Sequence, residues 1–368
     1  MVEALVRLGL WRKLFNYLLA EYELVTRRRV LRAKPYWVVI DPSSACDLHC
    51  PFCPTGKGKG TRTPAMMSFE HFKAVMDELG PTALQVEFMN WGEPTLNKDI
   101  GRMVAYAKTF GCGAGLSSHM NRMTPDVADA LVDSGLDWMI ASIDGASPET
   151  YAKYRVGGDY DRVLRNLKGL IAARKAKGSR TPHIHWQFLV FRHNEHEIKM
   201  AEAVARYLGV EQFGESPAAI PDPEWMPVKE GLRLYPKPKA DGTNDNLRPG
   251  DLEKTRAAGV PPCVWPWIGT VVNANGSVSP CCAIEDEAQD YGTVRGRGGH
   301  AAVWNGEDLR AAREFLAGGT PSKRNACTEC PFIGFVNPPI PQSWLYGAAS
   351  GWSLVDQLRP RAPRPTAP

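Results

Sequence analysis

"SSACDLHCPFCPTG", residues 43–56, places Cys46, Cys50 and Cys53 within eight residues, directly after the apolar run "YWVVI" (36–40). Thiols this close along the chain are poorly placed to bridge one another and well placed to point at one metal centre. Three thiolates leave a four-iron cubane with one iron open, so that a small molecule supplies the last ligand. A structural zinc ion would instead close its shell with a fourth Cys or His, and His49 and His71 are the nearby candidates. Spacing alone leaves both readings open.

The rest of the composition narrows the setting. A chain of 368 residues can bury one large core and a smaller module, and a net charge of +4 gives no argument for a nucleic-acid partner. No apolar run reaches the length of a membrane span, and the first residues lack the pattern of a signal peptide. The expectation is a cytoplasmic protein, in which nine cysteines point to metal or catalysis rather than disulfides.

Outward from the cysteine loop, short apolar strands alternate with amphipathic helices. The strands expected are 36–40, 84–89, 113–118, 137–143, 184–191 and 210–213. Helices are expected over 69–79 after Ser68, 125–134 after Thr124, 161–177 and 195–208, with Gly80, Gly135, Gly178 and Gly209 closing them. Such repetition predicts an α/β fold with a parallel sheet and crossover helices. Six strands suit an open, partial (β/α)6 barrel over 36–216, with chemistry at the carboxyl ends of the strands. Residues 1–35 read as a helical extension. Ala4, Leu8, Trp11, Phe15, Leu18 and Tyr22 form its stripe, with Arg7, Arg12 and Lys13 off it. The stripe is expected to pack on the main domain as a lid; a membrane surface or a second subunit are the alternatives. Residues 217–262 are rich in proline and charge and read as a linker. A compact segment, 263–335, contains the hairpin signal "NANGSV" (273–278), and 336–368 is a tail expected to be disordered over 358–368.

The C-x-x-x-C-x-x-C after the first strand, with Phe52 before the third Cys, resembles the signature of the radical S-adenosylmethionine (radical SAM) enzymes. "NWGEP" (90–94) resembles the family's Gly-Gly-Glu-Pro motif, with Trp91 in place of the first Gly and Gly92, Glu93 and Pro94 intact. "SSHMN" (117–121), "ASIDG" (141–145), "YRVGGDYDRV" (154–163) and "FLVFRHNEHEI" (188–198) resemble further family segments. The resemblance implies that Phe52, Gly92, Glu93, Pro94, Ser117, Ser142, Asp144, Arg155 and Asn194 face the cofactor, with Glu93 on its amine and Arg155 at its carboxylate. It implies one SAM-binding [4Fe-4S] cluster on Cys46, Cys50 and Cys53, and S-adenosyl-L-methionine as the source of a hydrogen-abstracting radical. An electron donor such as a flavodoxin or ferredoxin is implied as partner.

"CVWPWIGTVVNANGSVSPCC" (263–282) and "CTEC" (327–330) resemble a shortened SPASM or twitch domain. Cys263, Cys281, Cys327 and Cys330 make four ligands, one auxiliary [4Fe-4S] cluster suited to electron transfer; a zinc ribbon is the plain alternative. Neighbours on a strand point to opposite faces, so only one of Cys281 and Cys282 ligates comfortably. Cys281 is preferred, leaving Cys282 as a buried spectator or a hydrogen-atom donor. Cys112 reads as core. Trp186, Trp225, Trp265 and Trp267 can line a pocket or fill core.

The function expected first is oxidation of a carbinol in a small molecule, a sugar or aminocyclitol. Epimerisation with Cys282 as donor is second. Peptide modification is third, because such enzymes often carry a separate recognition domain and residues 1–35 are too short to be one. A zinc-bound interaction protein is the non-enzyme alternative.

Overall fold

The computed structural model describes residues 10–58, 62–218, 222–229, 261 and 263–330. β1 (Trp37–Ile40) alternates faces. Val38 and Ile40 enter the main core, while Val39 packs inside with Trp265 and Val271. The same alternation governs β2 (Gln85–Phe88), β3 (Gly113–Ser118), β4 (Trp138–Ser142), β5 (His183–Val190) and β6 (Gln212–Pro217). All neighbours in the run β6–β5–β4–β3–β2–β1 are parallel. Six strands marching in chain order form the expected open, partial (β/α)6 barrel, with helices on the outside.

The crossover helices are α2 (Phe69–Leu79), α3 (Ile100–Thr109), α4 (Pro125–Asp133), α5 (Pro148–Tyr154), α6 (Tyr160–Ala176) and α7 (Ile198–Leu208). Ser68 and Thr124 cap α2 and α4 by accepting from His71 N and Val127 N. α3 and α5 have no counterpart among the sequence expectations. Phe72, Met103, Leu131, Tyr151, Leu167 and Ala201 bring all six helices into the core behind the strands.

The C-terminal segment does not stand off from this sheet. After the single turn α8 (Trp265–Ile268), β7 (Gly269–Val272) pairs parallel to β1, and β8 (Val278–Ser279) pairs antiparallel to β7. One eight-stranded sheet results. α9 (Gly299–Trp304) and α10 (Glu307–Leu316) follow. The buried Arg62 ties the loop after the cysteines to this segment. Its guanidinium meets both Asp290 oxygens at 2.8 Å and donates to Ser279 Oγ and Ile284 O. Asp290 also accepts from Ser277 and Ser279. Removing one partner leaves the other buried and uncompensated, so Asp290→Ala is expected to cost about 3–5 kcal/mol in chemical denaturation. A cost below about 1 kcal/mol, the range of an exposed pair, would refute this link.

α1 (Leu10–Val25) corrects the expectation of a stripe packed inward. Trp11, Leu14, Phe15, Leu18, Tyr22 and Val25 are exposed, and Lys13, Asn16, Ala20 and Glu23 are buried. The reason is hydrogen bonding. Lys13 Nζ donates to Ala83 O and to Cys112 Sγ, Asn16 bonds both backbone groups of Lys34, and Glu23 accepts from Arg32 N and Ala33 N. Cys112 is core, as expected. Of the expected linker, Pro217 ends β6 and 222–229 are described. Of that segment 219–221, 230–260 and 262, together with residues 1–9 and the tail from 331, lie outside the described residues.

Candidate active site and metal centres

β1 delivers the cysteine loop to the carboxyl end of the sheet, and backbone bonds pin it there. Ser44 N donates to Ala65 O, His49 N to Val156 O, and Glu93 N to Ala45 O. Gly92 lies so close to the loop that a Cβ would sit 1.6 Å from Ser43 O; only glycine fits. Cys46, Cys50 and Cys53 are free thiols, with Cys50 buried against Leu48, Tyr154 and Phe191. Burial pushes the Cys50 thiol up to about 11, opposed by Arg155 and reinforced by Cys53, Asp144 and Cys46. Such crowded thiols are held as thiolates only by added positive charge, which iron supplies. His71, a candidate for a zinc shell, instead places Nδ1 3.0 Å from Arg295.

The residues expected to face the cofactor form two buried networks beside this loop. In one, Glu93 Oε1 accepts from Thr95 N and Oγ1, and Oε2 accepts from His119 N. His119 Nε2 lies 3.0 Å from Asp47 Oδ1, and Arg122 Nε donates to Asp47 Oδ2 at 2.7 Å. Burial opposes charge on His119, but Glu93, Asp47 and Cys46 outweigh it and bring its pKa to about 10. Cys46, Asp47 and His119 also offer ligand atoms within 4.8 Å of one another. The role of His119 as a link between Glu93 and the cysteine loop had no sequence signal beyond its place in "SSHMN".

In the second network, Arg155 Nε donates to Asp144 Oδ2 at 2.6 Å and Leu189 N to Oδ1. Asn194 Nδ2 donates to Asp144 O and Leu189 O, and its Oδ1 accepts from Phe191 N. Burial opposes the Arg155 charge, and Asp144 and Cys50 more than offset it, so it stays a cation. The geometry thus brings Arg155 beside the cysteine loop through the Asp144–Asn194 brace. Ser117 is the last residue but one of β3 and Ser142 the last of β4, and Pro94 opens a single 3-10 turn capped by Glu93. Phe52 packs edge-on against Trp225, with ring centroids 5.1 Å apart. Trp91, the departure from the family motif, donates Nε1–H to Ile284 O at 2.9 Å, and Asn90 bonds Asn273. That pair fastens the rim of the barrel to the C-terminal hairpin.

Cys263, Cys281, Cys327 and Cys330 gather into one group, near enough for their charges to interact. Burial pushes Cys263 and Cys327 up to about 12 and Cys281 well above its usual value. The donor set fits a metal cluster for the reason given above. One cation stands by: Arg313, fully buried, donates to Pro266 O, Trp304 O and Arg29 O. Burial lowers its pKa to about 9, while Glu23 and Cys327 act to raise it. Nothing in "EDLRAAREFL" marks Arg313 as different from a surface arginine.

Cys282 follows Cys281 directly, and its charge acts on both Cys281 and Cys263. Burial raises its pKa, and the next charged side chain to do so is Glu87, on β2. Cys282 is exposed, which corrects the expectation of a buried spectator. Glu87 is 1 % exposed, and among the described residues neither carboxylate oxygen has a donor at hydrogen-bond geometry. Burial drives its pKa well up. Glu87 pairs with Gly115, which pairs with Trp138; a Cβ on Gly115 would lie 2.1 Å from the indole and 2.5 Å from Glu87 Oε2. Trp265, two residues after Cys263, packs edge-on to Trp37 with its Nε1 also unpartnered among the described residues. Trp186 and Trp267 fill core.

Residues 40–203 match the Radical SAM superfamily and residues 263–331 the SPASM iron–sulfur cluster-binding domain. The chain belongs to the radical SAM enzymes that carry a SPASM domain, which hold a SAM-binding [4Fe-4S] cluster and auxiliary iron–sulfur and require a reductant. Among curated proteins it is 35 % identical over 131 residues to the mycofactocin maturase MftC of Mycobacterium tuberculosis, 35 % of this chain and 32 % of that protein. It thus matches about a third of the length of such relatives. It is 24 % identical over 319 residues to the PqqA peptide cyclase of Xanthomonas campestris, 81 % of this chain and 79 % of that one. Among solved structures, SuiB of Streptococcus suis with S-adenosylmethionine shares the fold, with a TM-score of 0.58, 14 % identity, and 85 % and 73 % of the two chains covered. No helix among the described residues is long and apolar enough to cross a membrane.

Proposed function

We propose that this protein is a peptide-modifying radical SAM maturase. The observation that carries the reading is the likeness to a peptide cyclase across about four-fifths of both chains. It reverses the order of the sequence expectations, in which carbinol oxidation stood first; the comparisons lend no support to a carbohydrate or epimerase reading. The shortness of residues 1–35 argued against a peptide only if one chain must carry its own recognition domain, which the chemistry does not require.

Cys46, Cys50 and Cys53 would hold the first cluster, and Cys263, Cys281, Cys327 and Cys330 the auxiliary one. With S-adenosylmethionine bound, the first cluster supplies a radical able to take a hydrogen atom from an unactivated carbon. The protein's own part is positional. Arg155, braced by Asp144 and Asn194, presents a fixed cation to an anionic group of the cofactor. Glu93, anchored by Thr95 and His119, retains lone pairs for an ammonium. Trp91 closes the rim against the hairpin and limits water. Glu87 and Cys282 lie near enough for their charges to interact, and a substrate residue would sit beside them. A buried carboxyl group there suits a donor group on the substrate. A flavodoxin or ferredoxin would deliver the electron.

The test is anaerobic turnover with reductant, S-adenosylmethionine and any small peptide whose gene adjoins this one, set against a panel of polyols and aminocyclitols. A defined mass change in the peptide, matched by equimolar 5′-deoxyadenosine, is the expected result. Consumption of a polyol with the peptide untouched would overturn the reading. In deuterated water, solvent label in a mass-neutral product that is lost in Cys282→Ala would instead establish epimerisation.

A further inference from the structure

The outward face of α1 plays no part in the chemistry above. Its exposed apolar side chains are Trp11, Leu14, Phe15, Leu18, Tyr22 and Val25, with Phe15 64 % and Val25 77 % exposed. At 100° per residue they occupy about a third of the helix circumference, opposite Lys13, Asn16, Ala20 and Glu23. Single exposed apolar residues need no explanation; a continuous row of six does.

The orientation is firmly set. Lys13, Asn16 and Glu23 each satisfy backbone groups of the body, so turning the row inward would orphan all of them. Exposed arginines flank the row. Arg12 lies over the Trp11 ring at its edge. Arg12, Arg28 and Arg32 are exposed and lack a carboxylate partner among the described residues, while Arg29 uses Glu314. The two acids of α1 are engaged, Glu21 by Tyr36 Oη and Glu23 by backbone. Beside the row opens a groove of about 430 Å³ lined by Trp11, Arg12, Phe15 and Arg32. Its acids are likewise engaged, Asp77 by Lys73 and Tyr106, Glu78 by the amides of His300 and Ala301.

We propose that α1 docks this enzyme on an anionic phospholipid bilayer. The helix lies along the surface, its aromatic and aliphatic row in the headgroup–acyl boundary, with Arg12, Arg28 and Arg32 on lipid phosphates. A second copy fits less well, because two-fold pairing of this face would bring one basic rim against another. The face lies outside the site residues, so docking and turnover fail independently.

The holoenzyme is to be sedimented with vesicles of phosphatidylglycerol and phosphatidylcholine, and with vesicles of phosphatidylcholine alone. Binding to the first and not the second is expected, weakened by salt. Phe15→Glu with Leu18→Glu, both exposed and thus compatible with folding, should reduce the partition by roughly tenfold or more, as should Arg12→Glu with Arg32→Glu. S-adenosylmethionine cleavage in solution should be unchanged in both variants. Three results would overturn the proposal: no binding to either vesicle, binding indifferent to the Phe15/Leu18 change, or a concentration-dependent dimer that the same change dissolves.

Discussion

Cys50→Ala protein, reconstituted anaerobically with iron and sulfide, is expected to hold about four irons per chain where the parent holds about eight, and to release no methionine from S-adenosylmethionine. The expectation follows from the two groups of thiols being separate. Cys50 shares its surroundings with Cys46, Cys53 and Arg155, whereas Cys263, Cys281 and Cys327 share theirs with one another. Losing one thiolate from the first group leaves two ligands on a cluster that already has an open iron, which is too few to retain it. The second group keeps all four. Cys281→Ala should do the reverse, retaining S-adenosylmethionine cleavage while losing the auxiliary irons. Cys282→Ala should keep both sets, because Cys263, Cys281, Cys327 and Cys330 already supply four thiolates to the auxiliary cluster. Iron analysis with electron paramagnetic resonance of the reduced protein separates the three variants. Full iron in Cys50→Ala, or lost auxiliary iron in Cys282→Ala with none lost in Cys281→Ala, would refute the assignment.

Much of this architecture was legible because periodicity and caps act locally. The strand expected at 113–118 and the helix at 69–79 fall where the structure has them, since apolar alternation and the Ser68 cap need no distant partner. The cysteine spacing was legible for the same reason: three ligands to one centre must lie close along the chain. What depended on distant partners was not. The face that α1 buries was misjudged because amphipathicity names an apolar side, not the side with hydrogen-bonding work to do; Lys13 and Glu23 are decided by backbone groups at Ala83 and Arg32–Ala33. Pairing of β7 with β1 joins residues more than two hundred positions apart, and no local pattern encodes it. Trp91 looked like a flaw in a glycine motif until its indole was seen to reach Ile284 O. Arg313 and His119 are identified as buried only once the helices and loops around them are in place.

Glu87 is the strongest instance, and it yields the second large effect. "QVEF" reads as a half-buried strand with its polar positions in water, yet all four residues are buried. Burying a carboxyl group without a hydrogen-bond partner costs about 1–3 kcal/mol, and more once it ionises. Folding alone would not retain such a residue, whereas a site that receives a donor from its substrate would. Glu87→Leu is therefore expected to move stability and function in opposite directions. Removing the unpartnered carboxyl should stabilise the fold by about 1–3 kcal/mol, while turnover of the substrate falls by about two orders of magnitude or more. Glu87→Gln, which keeps the shape but cannot take up a proton, should retain substrate binding better than Glu87→Leu. The pH dependence follows from the raised pKa. Below about pH 4.3 the carboxyl is protonated in both folded and unfolded chains. Above it the unfolded chain ionises first, so wild-type stability falls with rising pH until the buried group also loses its proton. The advantage of Glu87→Leu should thus widen across that interval and then level off. Uncoupled S-adenosylmethionine cleavage should persist in both variants, because Glu87 is not among the residues around the cysteine loop. A Glu87→Leu protein that turns over substrate at the parental rate, or that is less stable at every pH, would show the carboxyl to be structural.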